Sequence, residues 1–260
     1  MKRYFGALAI AAAAAALPPA WSLLSAEQGQ RAGAPPTRAD TRVVPRMPDG
    51  KPDLTGVWDK PYRRNLAEGL EPLPFTAVGR SKFNDRVNVV DPTMHCALPG
   101  VPRVMTHPSP MEIGQRSGRV VILYEWMHNF RLIPTDGTPY LRKDAASTLF
   151  GNPNGRWEGD TLVVDSTDFM AEGETWLDDF GNQHGDALHV VERFTRIAYD
   201  RLQYEVTIED PEFYTKPWGA KWIIPLAAPG TELQEDTCRT TTYGPAKDPN
   251  IKAEPGPRPR

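Results

Sequence analysis

Alternation with a period of two is the feature of this chain that most limits its fold. From Met111 onward, short β-rich segments follow one another: "MEIGQ", "RVVILYEWMHNFRLIP", "GRWEGDTLVVDSTDF", "ALHVVERFTRIA", "LQYEVTIEDP", "AKWIIPL" and "LQEDTCRTT". Turn residues punctuate them, "TDGT" and "YDR" among others. Successive side chains of a strand point to opposite faces, so this period commits each residue to one side of a sheet. Short strands between Gly, Asp and Pro turns predict an antiparallel meander, closed or nearly closed. "PDLTGVWD" supplies a first strand, and residues 60–110 read as irregular, with "DPTMHCALPGVPR" as the densest knot of turn residues. No βαβ spacing, Gly-rich phosphate loop, helical apolar stripe or internal repeat stands out.

Parity then sorts the side chains. Along 120–133 one face reads Tyr124, Trp126, His128, Phe130 and Leu132; the other reads Glu125, Met127, Asn129, Arg131 and Ile133. The first, strongly aromatic with one imidazole, is the expected interior. Along 188–196, Leu188, Val190 and Phe194 form the apolar face and Glu192 falls in their register. Leu202, Tyr204, Val206 and Ile208 do the same on the next segment. An inward carboxylate must be paired, protonated or open to a wet pocket, because burying it alone is costly. His189 has the opposite parity to Glu192 and is expected at the surface.

The chain has 260 residues, 40% of them hydrophobic, which suits one globular domain with a sizeable core. A net charge of −3 and the lack of a basic stripe argue against a nucleic-acid partner. The start, "MKRYFGALAIAAAAAALPPAWSLLSA", has Lys2 and Arg3 ahead of an apolar run too short to span a membrane. Residues 1–26 therefore read as a signal peptide, with an uncleaved N-terminal anchor as the other reading. Residues 27–50 read as a flexible leader, 51–243 as a single β-barrel domain and 244–260 as a flexible tail. Periplasmic or secreted localisation is expected. Cys96 and Cys238 permit one disulfide closing a very long loop; two free buried thiols are the alternative.

"TGVW" with Arg239 near the last strand resembles the lipocalin-like pattern in which an arginine covers the tryptophan. With the meander, it makes the expected fold all-β: an antiparallel up-and-down lipocalin-like barrel with long irregular segments. A barrel of about eight strands is just wide enough to hold one small ligand. Over roughly residues 50–240 the chain also resembles a broad family of exported bacterial proteins. The resemblance rests on "HCALPGVPR", "PSPMEIGQ", "VVILYEWMHNFRLIPTDG", "GRWEGDTLVVDSTDF", "TWLDDFGNQHGDALHVVERFTR" and "VTIEDPEFYTKPW" in that order. It implies one exported domain and marks the "TWLD…G…H…LHVVER" run as the polar signature. This chain departs from the pattern at Gly185, at Asn152 and Pro153, and in "RTTTYG" after Cys238.

The signature run holds the chemistry. His184 near Asp178 would make an oriented imidazole, the simplest acid–base device at neutral pH, with Glu192 or His128 as the second group. The competing reading is that Asp and His cap turns in a Gly-rich loop. Tyr124, Trp126, Phe130 and Tyr204 are the expected aromatic wall. Arg131, expected at the surface or rim, or Arg193 would pair with an anionic substituent. His95, His107, His128 and His184 lack the short fixed spacing of a zinc motif, so no metal is expected, and no cofactor motif is visible. The expectation is an exported enzyme doing cofactor-independent acid–base chemistry (lyase, decarboxylase or isomerase) on a small apolar, aromatic molecule. The alternatives are a non-catalytic carrier of such a ligand and a structural envelope protein.

Overall fold

The computed structural model describes residues 42–70, 72–139, 146–170 and 175–238. The segment expected to be a signal peptide or anchor, most of the leader, the tail from residue 244 and Arg239 lie outside these residues. Among the described residues no helix is long and apolar enough to cross a membrane.

The described residues are mostly β, with two antiparallel sheets and one α-helix among them. The first sheet runs in chain order: β1 (Gly56–Trp58), β2 (Met111–Arg116), β3 (Arg119–Tyr124), β4 (Asn129–Pro134). The second does likewise: β5 (Asn152–Glu158), β6 (Thr161–Thr167), β7 (His189–Ala198), β8 (Arg201–Glu209), β9 (Trp218–Pro225). Inward faces of both sheets share one core, with Trp58, Ile113, Ile122 and Tyr124 from the first and Val164, Phe194, Tyr204 and Ile224 from the second. The strands therefore form a meander in two ladders, where one closed lipocalin-like barrel was expected. The sheets approach one another at both edges. Asp59 N–H donates to Pro225 O and Ala227 N–H to Val57 O, beside a Trp58–Leu226 bridge. At the other edge Gly155 lies so near β4 that a Cβ on it would sit 2.7 Å from Pro134 O and Ile133 Cγ2.

Two sequence expectations about the strands change. The segment "RVVILYEWMHNFRLIP" is a hairpin, not one strand. Trp126–His128 form a 3₁₀ turn in which Met127 and His128 adopt left-handed φ of 58° and 46°. Tyr124 pairs with Asn129, Ile122 with Arg131 and Val120 with Ile133. Directly paired residues share a face, so Arg131 points into the core with Ile122, while Phe130 points out with Leu123. Second, residues 231–238 form no strand; they cross the protein as a strap tied down by the Cys96–Cys238 disulfide. That bond is the one reading of the cysteines that the structure bears out, and it suggests a non-cytoplasmic location. Among the described residues, the Arg196 guanidinium from β7 lies over Trp58, 5.1 Å from the ring centroid.

Residues 42–50 carry contacts of their own. Arg46 makes a two-pronged ion pair with Asp160 on the β5–β6 turn, at 2.9 and 2.7 Å. The region read as irregular holds helix α1 (Ala77–Asp85). Thr76 caps it by accepting from Gly79 N–H at 3.0 Å. Gly79 is required by close approach: a Cβ there would lie 2.1 Å from Phe213 O. The helix therefore lies directly on the turn that follows β8.

Candidate functional site

The polar signature run folds into a loop whose carboxylates hold backbone. Asp178, fully buried, accepts from Leu66 N–H at 2.8 Å and from Phe180 and Asn182 N–H at 3.1 Å each. The Asn182 amide adds a donor at 2.6 Å. Burial pushes the Asp178 carboxyl upward, against these donors, which favour its charged form. Asp210 does the same one layer on, accepting from Gly185, Glu212 and Phe213 N–H. His184 is fully buried, with Nδ1 3.0 Å from Gly185 O and its ring edge-on to Phe169. The bonds described for Asp178 and His184 run to different partners. This geometry is that of the turn-capping reading.

Inside the core, Glu192 faces inward as parity predicts, and its partner is Arg131. The guanidinium meets both carboxylate oxygens at 3.1 and 2.6 Å, and Tyr204 hydroxyl donates to Oε1 at 2.9 Å. Neither member of the ion pair is exposed. Burial alone would lower the Arg131 pKa, but the Glu192 charge outweighs it and holds it above its ordinary value. Burial, reinforced by the Glu192 charge, pushes the Tyr204 phenol well up. Burial likewise pushes Tyr124 to about 12. Arg131 is thus corrected from a rim cation to a core cation. His128 and Phe130 are corrected from interior to exposed, because the hairpin reverses their parity. Arg193 stands on the outer face, bonded to Glu158 at 2.8 Å. Trp126 is buried, but it stacks on His107 at 4.1 Å and does not line a common wall with Phe130.

The cavity that does combine aromatic rings with cations lies beside the signature loop. Its volume is about 450 Å³, and Phe75, Phe83, Phe180, Arg80, Arg86 and Asn182 are among its lining residues. Helix α1 sets it up. A spacing of three places Arg80, Phe83 and Arg86 on one face of the turn-and-helix surface. Phe83 sits 5.1 Å from Phe75 and 5.9 Å from Phe180, centroid to centroid. Arg86 stacks 3.8 Å over Phe83 and is fixed by donating to Phe83 O and Phe180 O. Arg80, at the exposed rim, lies 4.5 Å over Phe75. The signature run contributes Phe180 and Asn182 to this wall.

No family model and no curated protein matches this chain. Sequence reasoning missed Phe75, Phe83, Arg80 and Arg86; the available signal was the capped, three-spaced pattern from Thr76 to Arg86. A second cavity of about 490 Å³ has Asp168, Phe169, Met170, Asp186, Leu188 and His189 among its lining residues. There His189 bridges Asp165 at 2.9 Å and Glu209 at 3.1 Å across three strands. Among the described residues no three His, Cys, Asp or Glu side chains converge as a metal site would require.

Proposed function

We propose that this is an exported binding protein for a small aromatic anion, taken up in the Phe75–Phe83–Phe180 cavity. The observation that carries the reading is the placing of three phenyl rings and two guanidinium groups around one cavity of about 450 Å³. That volume falls within the range of roughly 300–1,000 Å³ typical of small-molecule sites. Ring faces favour an aromatic body, and a planar guanidinium suits a carboxylate or similar anion. Arg80, at the rim, is the partner for the anionic group, since Arg86 is already engaged with backbone carbonyls. The two sheets, joined at both edges, support a finer fold reading as a lipocalin-like barrel. The disulfide supports a periplasmic or secreted setting. The family resemblance in the signature run belongs to the same proposal.

The test is calorimetric titration and thermal melting with phenylacetate, set against the neutral phenylacetamide. Stabilisation by the acid alone, weakened at least tenfold in Phe83→Ala and in Arg80→Gln, supports the reading; each lost contact removes on the order of 1–2 kcal/mol. Equal response to acid and amide, or none in the wild type, overturns it. A second reading, cofactor-independent acid–base chemistry on a small molecule, is favoured by a different observation, the buried amine of Lys60.

A further inference from the structure

Lys60 follows β1 by two residues and continues the inward parity of Trp58. Its side chain is 3% exposed, and Nζ has no hydrogen-bond partner among the described residues. Buried lysines ordinarily survive only by pairing with an acceptor or a carboxylate. Here the ammonium position lies over the Tyr124 ring, 5.4 Å from its centroid. Glu125 is the carboxylate whose charge reaches Lys60, and its Oε2 already accepts from Gln234 N–H at 2.8 Å. On the same side His107 stacks flat on Trp126 and takes Ser109 N–H on Nδ1 at 3.3 Å. The neutral imidazole then carries its proton on Nε2. Around that pair stand Arg103, clamped between Asp91 and Asp179, and Asp236, which accepts from Met127 N–H.

We propose that Lys60 is a nucleophilic amine that forms an imine with a small aldehyde or ketone. A buried amine beside an aromatic ring, with no hydrogen-bond partner among the described residues, is destabilised as the ammonium ion, and the neutral form has a lone pair to offer. Burial, the dominant cause, lowers the Lys60 pKa to about 7, against a partial opposing pull from Glu125. Burial also lowers that of His107 to about 4, with the Lys60 charge adding to the effect. The Nζ lone pair adds to the carbonyl carbon. One hydrogen passes from nitrogen to the carbonyl oxygen to give a carbinolamine, and the hydroxyl then leaves with the remaining nitrogen hydrogen as water to form the C=N bond. Hydrolysis reverses every step, so no oxidant, reductant or metal is consumed.

The inference stands on Lys60 and its surroundings, and not on the aromatic–arginine cavity, so either can fail without the other. The experiment uses the full folded chain, with formaldehyde as probe and cyanoborohydride to reduce any imine to a stable secondary or tertiary amine. Peptide mapping by mass spectrometry then compares Lys60 with the exposed Lys221. At about pH 6.5 a surface lysine is almost wholly protonated, so Lys60 is expected to react at least about tenfold faster than Lys221. The preference is expected to shrink as pH rises toward the ordinary lysine range. Labelling of Lys60 no faster than Lys221 at the lower pH, with normal labelling of both in urea, overturns the proposal. A rate at Lys60 that rises with pH in parallel with Lys221 does so as well.

Discussion

Replacing Glu192 by Gln isolates what the core ion pair does. The carboxylate has no exposure and meets three donors: two from Arg131 and the hydroxyl of Tyr204. An amide of the same shape can accept on one atom only, and its NH2 group would face the guanidinium or the phenol donor to donor. Arg131 would then remain fully buried as an unpaired cation. Removing one member of a buried pair costs about 3–5 kcal/mol, because the remaining charge stays desolvated. For a domain of this size about 1 kcal/mol moves Tm by roughly 2–4 °C, so a fall of about 6–20 °C is expected. The decisive comparison is the variant in which Arg131→Met, Glu192→Leu and Tyr204→Phe are combined. With no charge or hydroxyl left to satisfy, its stability is expected to return to within about 1–2 kcal/mol of the wild type, or to exceed it. Chemical denaturation followed by tryptophan fluorescence measures all of these. If Glu192→Gln costs under about 1 kcal/mol, or if the combined variant is as unstable as the single one, the desolvation argument is refuted.

Two further outcomes follow from other contacts. His189 is drawn downward by burial, but hydrogen bonds and charge from Asp165 and Glu209 outweigh it and its pKa is raised. A raised value means that its contribution is fully present below the unfolded value of about 6.5 and is lost as pH rises through the folded one. The Tm gap between wild type and His189→Asn is therefore expected to be wider near about pH 5.5 than near 8.5; a gap independent of pH would count against the pairing. The Cys96–Cys238 bond spans 142 residues of chain, for which restriction of the unfolded state is worth up to about 5 kcal/mol. The double alanine variant is expected to lose about 3–5 kcal/mol in urea denaturation, and an unchanged midpoint would show that the strap adds nothing.

How far the sequence alone reaches is visible in particular strands. The inward set Leu188, Val190, Glu192 and Phe194, and the set Leu202, Tyr204, Val206 and Ile208, are buried as their period of two requires. Long, uninterrupted alternation on β7 and β8 leaves one register only, because a one-residue slip would turn every apolar side chain to solvent. The existence of an inward carboxylate was equally legible. Its partner was not, since that depended on a turn at Trp126–His128 made by non-glycine residues with left-handed backbone, for which the sequence carries no Gly, Asn-Gly or Pro signal. One missed turn reversed the faces of His128, Phe130 and Arg131 together.

The candidate cavity lay further from view. Thr76 as a cap and the spacing of Arg80, Phe83 and Arg86 are local, and could be read as a short helix; that Phe75 and Phe180 meet them is not. Phe180 arrives from a loop about a hundred residues later, fixed by Asp178 holding Leu66 and Asn182. Lys60 is the same kind of case: its parity was local, but that Nζ lies over Tyr124 with no hydrogen-bond partner among the described residues depends on a segment about sixty residues later. By itself the sequence determined the β class, the inward faces of the uninterrupted strands and the opportunity for one disulfide, all set by neighbours along the chain. Only the tertiary structure decided which charges meet, which cavity opens and which amine is left without a partner, because those depend on contacts between segments that no local pattern relates.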